Sequence, residues 1–157
     1  MAENLFPEGY EEEIVTAEDL NSGQTTAYKN GIAFDSLLGD FLRDGRHRLL
    51  DSDGVASWKS WCENCIRTER YKHLAYSTDF GIEIDKAMRA SSQTEAESIL
   101  TREITEAVMA DPYKRAKYIE EIKYDWTAPD SVSVVVTVRG VDETTIDVTA
   151  YITKGEG

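Results

Sequence analysis

The chain has 157 residues, a length suited to one domain, and its thirty acidic and seventeen basic residues give a net charge of −13 at pH 7. This charge argues against sequence-independent binding to nucleic-acid phosphates and against a polybasic membrane anchor. No apolar run approaches the roughly 20 residues that span a bilayer, and the first residues lack the pattern of a secretory signal. Hydrophobic residues make up 41% of the chain, so we expect a soluble, cytoplasmic protein with a real core.

The negative charge is concentrated at the start of the chain. Residues 1–28 contain seven acidic residues and no lysine or arginine, and they show neither helical nor strand periodicity. We therefore predict an acidic, extended or disordered arm over residues 1–24 and a single α+β domain over residues 25–157. The arm is interpreted either as a solvated tail or as a segment that docks on a partner. Its few apolar anchors are Leu5, Phe6 and Tyr10.

Two short hairpins are predicted after the arm. The dipeptide Asn30-Gly31 favours a tight turn within a hairpin over residues 26–34. The dipeptide Asp44-Gly45 predicts a second turn, which pairs residues 41–42 with residues 47–50. His47 is expected on the second strand of that hairpin, in contact with solvent.

The first helix is predicted to begin near Val55, because Asp51 and Asp53 offer side-chain oxygens that can cap it. Apolar residues recur at helical spacing along it and form one face rich in tryptophan. These residues are Val55, Trp58, Trp61, Cys62, Cys65 and Ile66.

Two more helices are predicted before the last third of the chain. Asp79 is expected to cap a short helix that carries Ile84 and Met88. Thr94 and Glu97 have capping-box spacing and mark the start of a longer helix. That helix is expected to stop at Asp111-Pro112, because proline disfavours helical geometry in the residue before it.

After residue 120 the apolar period changes from about 3.6 to 2 residues. Alternation over residues 122–126, 132–138 and 146–152 predicts three antiparallel strands with one buried face. The fold class is therefore α+β, with a small N-terminal β-hairpin element, three helices and a C-terminal three-stranded antiparallel meander.

One motif has the spacing of a redox site. Cys62 and Cys65 form a CxxC, but a redox CxxC needs its first thiol at a helix N-terminus, and Cys62 falls about two turns into the predicted helix. We interpret both as small apolar core residues. A small cytoplasmic redox enzyme and a zinc site remain alternatives, and only His47 and His73 are available to complete the zinc site.

A glycoside hydrolase is a further alternative, because such enzymes use a pair of carboxylates. Glu69 and Asp79 are the two acids placed beside aromatic residues, which is the setting that raises a carboxyl pKa. Asp51 and Asp53 followed by Gly54 resemble the opening of a calcium loop, but a helix cap explains them better. With no glycine-rich nucleotide motif present, we expect no enzyme and no cofactor.

The order of these parts resembles a known family. A tryptophan-containing helix leads into Thr68-Glu69-Arg70-Tyr71 and then into Tyr76-Ser77-Thr78-Asp79-Phe80-Gly81-Ile82-Glu83; an amphipathic helix ends at Asp111-Pro112, and a β-meander follows. Over roughly residues 25–153, the chain resembles the XkdS-like branch of the baseplate wedge family of contractile phage tails. Relatives of that family occur in phage-like bacteriocins and other contractile injection systems, and the family is sometimes labelled tail lysozyme.

The resemblance implies a structural protein that connects the inner baseplate wedge to the tail sheath and seeds sheath assembly. It implies the sheath subunit, other wedge proteins and the tail tube as partners, with a place in the baseplate of a virion or bacteriocin particle assembled in the bacterial cytoplasm. Family members carry a Glu-Pro-Arg triplet after the long helix. Its position here is occupied by Asp111-Pro112-Tyr113, which leaves Lys114 or Arg115 to supply the cation.

Candidate interface residues follow from the resemblance and from the predicted meander, whose open edge can pair with a strand of another chain. The set is Glu69, Arg70, Tyr71, Asp111, Pro112, Tyr113, Arg115, Val132, Val134, Val136, Ile146 and Val148.

Overall fold

The computed structural model describes residues 28–35 and 37–154. The predicted arm over residues 1–24 and the start of the first predicted hairpin lie outside these residues. The elements are β1 (Gly31–Ile32), β2 (Phe34–Asp35), β3 (Asp40–Phe41), β4 (Asp51–Ser52), α1 (Gly54–Arg67), α2 (Ile84–Met88), α3 (Gln93–Met109), β5 (Ala116–Ala128), β6 (Ser131–Gly140) and β7 (Thr145–Thr153). The predicted α+β class is confirmed.

The core lies between the three-stranded sheet and the helices. β5, β6 and β7 are antiparallel neighbours with β6 in the centre, and every second residue of β6 and β7 is buried. Helix α1 packs on β7, and α3 packs on β5 and α1. The largest fully buried side chains of the described residues are Trp58, Ile66, Ile82, Leu100, Ile104, Val108, Val132, Val134, Val136, Val138, Val148 and Ile152.

Helix α1 begins and packs as its sequence predicts. The carboxylate of Asp53 accepts a hydrogen bond from the backbone N–H of Ala56 at 2.8 Å, which caps the first turn. Trp58, Cys62 and Cys65 are completely buried on the apolar face. The predicted role of Asp53 as a helix cap is therefore confirmed.

The first predicted hairpin does not form. Gly31 and Ile32 belong to β1, whose antiparallel partner is the distant β4. Gly31 is needed for a close approach instead of a turn, because a Cβ atom there would meet the Ser57 Oγ at 2.7 Å. Long-range packing against α1 has overridden the local turn signal of Asn30-Gly31.

The second predicted hairpin is present but its pairing differs. Leu50 donates to the Leu42 carbonyl at 3.0 Å, and Asp44 donates to the Arg48 carbonyl at 2.8 Å. Phe41 pairs with Phe34 instead of the returning strand. His47 was expected on a strand, but it lies in the turn with φ +61°, where Asp44 accepts its backbone N–H.

Two predicted helix caps were wrong. Asp79 does not cap α2, since Glu83 occupies the N-cap position without a side-chain hydrogen bond. Helix α3 begins two residues before the predicted box: the Ser92 Oγ accepts from the Glu95 N–H at 3.2 Å, and the Glu95 carboxylate accepts from the Ser91 N–H at 2.8 Å. Because Glu95 accepts from the residue before the N-cap, the arrangement resembles a capping box that is displaced by two residues from the predicted one.

Tyr28 fastens the start of the described chain to the sheet. Its ring lies 5.2 Å from the Trp58 ring, and its hydroxyl donates to the Asp142 carboxylate at 2.8 Å. Burial and the neighbouring Asp142 raise the Tyr28 pKa to about 12. Gly54 and Gly140 make room for Tyr28, because a Cβ at either position would collide with it.

The helices of the described residues are short and amphipathic. None of them is long and apolar enough to cross a membrane.

The shifted cap of α3 gives a stability prediction. Replacing Ser92 with Ala should lower the free energy of unfolding by about 1 kcal/mol, because the N–H of Glu95 loses its acceptor. The matched change Thr94→Ala should stay within about 0.5 kcal/mol, the usual range for an exposed position. Urea unfolding of both variants measures the difference, and a larger loss for Thr94→Ala would contradict the observed cap.

Candidate assembly interface

The predicted interface residues fall on three parts of the structure. Asp111 to Arg115 form the connection between α3 and β5, and Glu69 to Tyr71 begin the loop between α1 and α2. The remaining residues lie on β6 and β7. Trp61 of α1 links the first segment to the loop that follows α1, because its ring contacts both Arg115 and Phe80 near the far end of that loop.

Asp111 and Arg115 form a buried, bidentate ion pair. The Arg115 Nε donates to the Asp111 Oδ2 at 2.7 Å, and its Nη2 donates to the Oδ1 at 2.9 Å. Their side chains are only 1% and 5% exposed. Arg115 therefore supplies a cation to this segment, but Asp111 neutralises its charge inside the fold. The pair orders the turn that leads into β5.

Tyr113 occupies the outer side of this pair. Its exposed ring lies 5.1 Å from the Arg115 guanidinium and 5.7 Å from the Lys29 ammonium group. Cations over an aromatic face are attracted by its quadrupole. The outward surface of the segment is consequently made by Pro112, Tyr113 and Lys114, all exposed.

The loop between α1 and α2 has a rigid base and an exposed tip. Arg70 donates from its backbone to the Ile82 carbonyl at 2.9 Å and from its Nε to the Gly81 carbonyl at 2.9 Å. Its guanidinium also lies 3.5 Å from the buried carboxylate of Glu103 on α3. Arg70 is thus a structural clamp, while the outward residue of this segment is Tyr71, which is 65% exposed.

Backbone strain occurs in both segments. Tyr71 has φ +68° and Lys114 has φ +53°, a region that residues with a side chain rarely adopt. Such conformations persist where the surrounding structure imposes them, and they concentrate at functional positions. Tyr71 is itself an exposed tyrosine, and Lys114 follows the exposed Tyr113, so the two surfaces are held in fixed shapes.

The strand residues of the predicted set are core residues. They are buried between the sheet and the helices, so their side chains hold the sheet in place and do not reach its surface. They are Val132, Val134, Val136, Ile146 and Val148. The groups that a partner strand could bind are the backbone N–H and C=O groups of the two edge strands, β5 and β7.

The edge of β7 has a simple hydrogen-bonding pattern. Gly140 donates to the Thr144 carbonyl at 2.7 Å and Lys154 donates to the Asp130 carbonyl at 3.0 Å, and β7 pairs with β6 in unbroken register between them. In an antiparallel ladder, hydrogen-bonded pairs alternate along the strand. The even-numbered residues of β7 therefore bond to β6, and the odd-numbered residues direct their N–H and C=O groups away from the sheet.

No other part of the described chain covers that outer edge of β7 with backbone hydrogen bonds. The odd-numbered residues also carry the exposed side chains. Four of them are threonine or tyrosine, types favoured in strands, and the one acid, Asp147, accepts from the Thr137 hydroxyl at 2.7 Å. They are Thr145, Asp147, Thr149, Tyr151 and Thr153.

The opposite edge, β5, has the features that discourage strand pairing. Its register with β6 is interrupted at three places, and bulges of this kind twist an edge away from new partners. Several charged side chains line it, including Glu121 and Lys123, which form an ion pair at 3.0 Å. The two edges of the sheet therefore differ: the β5 edge is irregular and charged, and the β7 edge is regular.

The cysteines are placed for packing and not for redox chemistry. Both are free and buried in the middle and last turns of α1. Burial raises the pKa of both thiols, so the reactive thiolate is disfavoured at neutral pH. The Cys65 sulfur accepts from the Gly81 N–H at 3.4 Å, which ties the loop to the helix.

Among the residues that the structure describes, the metal and glycoside-hydrolase alternatives gain no support. No cluster of three or more metal-ligating side chains occurs among the residues that the structure describes. Burial raises the pKa of Glu69, but its carboxylate accepts from the Asp85 N–H at 3.2 Å and caps α2. This carboxyl therefore has a structural role.

Comparison with known proteins points to one family. The family model described as "Contractile injection system sheath initiator" matches residues 30–143, well over half of the chain. The match spans both candidate segments, β5 and β6, and it ends just before β7. No curated protein matches the chain.

The buried ion pair gives a second stability prediction. Asp111→Asn should lower the free energy of unfolding by about 3–5 kcal/mol, because Arg115 is left as an uncompensated buried charge. Asp125→Asn makes the same chemical change at an exposed position and should stay within about 0.5 kcal/mol. Equal losses in a denaturant titration would contradict the structural role of the pair.

The cysteines give a third prediction. In the folded protein, Cys62 and Cys65 should react with an aromatic disulfide reagent only as fast as the protein unfolds, because neither thiol is exposed. Adding denaturant should release both thiols at once. Rapid labelling under native conditions would instead support the redox alternative.

Proposed function

The chain belongs to the contractile injection system sheath initiator family, and we propose that it starts sheath assembly by accepting a strand of the first sheath subunit on the outer edge of β7. Membership itself implies an interaction with the tail sheath. The strand-pairing mechanism and the choice of edge are inferred from the shape of the sheet.

The observation that carries this proposal is the difference between the two edges. A strand added to β7 would meet a continuous row of outward N–H and C=O groups over residues 145–153. Main-chain hydrogen bonds of this kind depend little on side-chain identity. A sheath subunit bound in this way could present an edge of its own, so the same contact can be repeated by the next ring.

A second requirement for an initiator is that docking should not disturb its core. In β7, the residues that face the helices are the same residues that bond to β6. Pairing on the outer edge therefore uses backbone groups that no core contact needs. The outer edge of β7 is already ordered before the partner binds, which lowers the conformational-entropy cost of binding.

The exposed tyrosines are proposed to face other baseplate components. Tyr113 and Tyr71 project from segments with fixed backbone, and exposed tyrosines are enriched in protein interfaces. This proposal assigns the chain to a baseplate wedge beside the tail tube, within a phage tail, a phage-like bacteriocin or a related injection system. Tyr113 stands where the family carries arginine, so that contact would be made by an aromatic ring. The buried pair of Asp111 and Arg115 would hold this ring in position.

An enzymatic function is not favoured. The family is a structural one and not a known enzyme family. The two alternatives from sequence, a redox enzyme and a tail-associated glycoside hydrolase, relied on the cysteines and on Glu69, and these groups pack the core and cap α2.

The strand-pairing proposal predicts the effect of proline in β7. Thr149→Pro removes an outward N–H in the middle of the free edge while leaving the bonds to β6 in place. We expect a folded protein that no longer supports sheath assembly. The measurement is electron microscopy of particles made with the variant, which should show tube and baseplate without sheath.

Two variants serve as controls for that experiment. Thr149→Ala removes the same side chain but keeps the N–H, and it should assemble a normal sheath. Val148→Pro removes a donor to β6 and should destabilise the fold itself. Normal sheaths on a folded Thr149→Pro variant would show that strand addition on this edge is not the mechanism.

A further inference from the structure

An apolar groove lies between the β2–β3 hairpin and the loop that joins α1 to α2. Its volume is about 520 Å³. One wall is the Phe34–Phe41 pair, whose ring centroids are 5.3 Å apart. The other wall is built from Trp61, Phe80 and Tyr76, with centroid distances of 5.8 Å and 4.6 Å between successive rings. Open aromatic walls of this kind are suited to hold apolar side chains.

Positive charge lies in the segment that follows one wall of this groove along the chain. Beyond the Phe41 wall, Arg43, Arg46 and Arg48 are exposed in a stretch with one acid, Asp44, which is already paired with Arg48 at 3.0 Å. The segment of the other wall, residues 68–80, has two basic and two acidic residues and adds no net charge. In a chain of net charge −13, the basic stretch over residues 43–48 and the aromatic walls together favour an acidic ligand with apolar side chains.

The chain itself contains such a segment. Residues 1–27 carry seven acids and no base, with apolar residues spaced among the acids. The segment joins the fold at Tyr28, whose ring packs on Trp58. Trp58 lies three residues, or about 4.5 Å of helix rise, from Trp61 in the groove wall.

We propose that the groove is the docking site for residues 1–27 of the same chain, with Leu5, Phe6 and Tyr10 entering between the aromatic walls and the acids facing the basic stretch over residues 43–48. An extended segment of 27 residues reaches roughly 90 Å, so length does not restrict the contact. A tethered ligand has an effective concentration in the millimolar range, so even weak pairing would populate the bound state.

The test uses the full chain with a nitroxide label on Gly9→Cys. Cys62 and Cys65 are completely buried, so the reagent should modify the new cysteine selectively. Signal loss is measured on backbone amides in ¹⁵N correlation spectra, with the reduced label as reference. We expect strong loss at residues 34, 41 and 75–80 and little loss along β7. In about 1 M salt, where the Debye length is about 3 Å, part of the signal should return.

Three variants of the labelled chain locate the contact. Replacing Leu5, Phe6 and Tyr10 together with Ser keeps every acid but should restore the groove signals. Tyr76→Ser in the groove should also restore them. Tyr118→Ser is the matched control, because Tyr118 is a similarly exposed tyrosine on β5 and should change nothing.

A mixed sample separates this proposal from docking between copies. Labelled chain without ¹⁵N is combined with ¹⁵N chain that carries no label, and the groove signals of the latter should be unaffected. Signal loss in the mixture would mean that the segment docks on a second copy, and this would overturn the proposal. Weak, uniform loss in the full labelled chain would also overturn it, and would leave the groove to an outside partner.

Discussion

The structure depends on one constraint of antiparallel sheets, which is that side-chain direction and hydrogen-bond direction alternate together along a strand. In β7 the buried side chains belong to the residues that bond to β6, and the exposed ones belong to the residues that point outward. Packing the apolar face under α1 and α3 therefore fixes which backbone groups remain available. The core and the proposed docking edge are two consequences of the same register.

Several long-range contacts hold this register in place. Tyr28 reaches from the start of the described chain to Asp142 in the turn that precedes β7, and Val141 in that turn donates to the Arg115 carbonyl at 3.0 Å. Arg115 in turn is fixed by Asp111 and lies 5.7 Å from the Trp61 ring. The sheet edge, the tyrosine surface and the aromatic groove are thus joined through a short series of side-chain and backbone contacts.

The sequence predicted the parts whose signal is local and periodic. The apolar face of α1 and the alternation of β6 and β7 gave correct elements, because burial on one side leaves a regular pattern. The pairing of β1 with β4 escaped prediction, since each strand has two residues and the partner lies twenty residues away. The first residues of β5 were also missed, because irregular pairing near Ile119 disturbs the alternation. Asp111 and Arg115 were predicted as interface residues, but their mutual ion pair and its burial depend on tertiary packing.

Hydrogen exchange at the amides of β7 tests the central claim most directly. In the isolated protein, the amides of residues 146, 148, 150 and 152 should be protected by β6, while those of residues 145, 147, 149, 151 and 153 should exchange quickly. Adding purified sheath subunit should protect the second set and leave the first set unchanged. Protection that appears on β5 instead, or odd-numbered amides that still exchange quickly when the sheath subunit is bound, would contradict strand addition on the β7 edge.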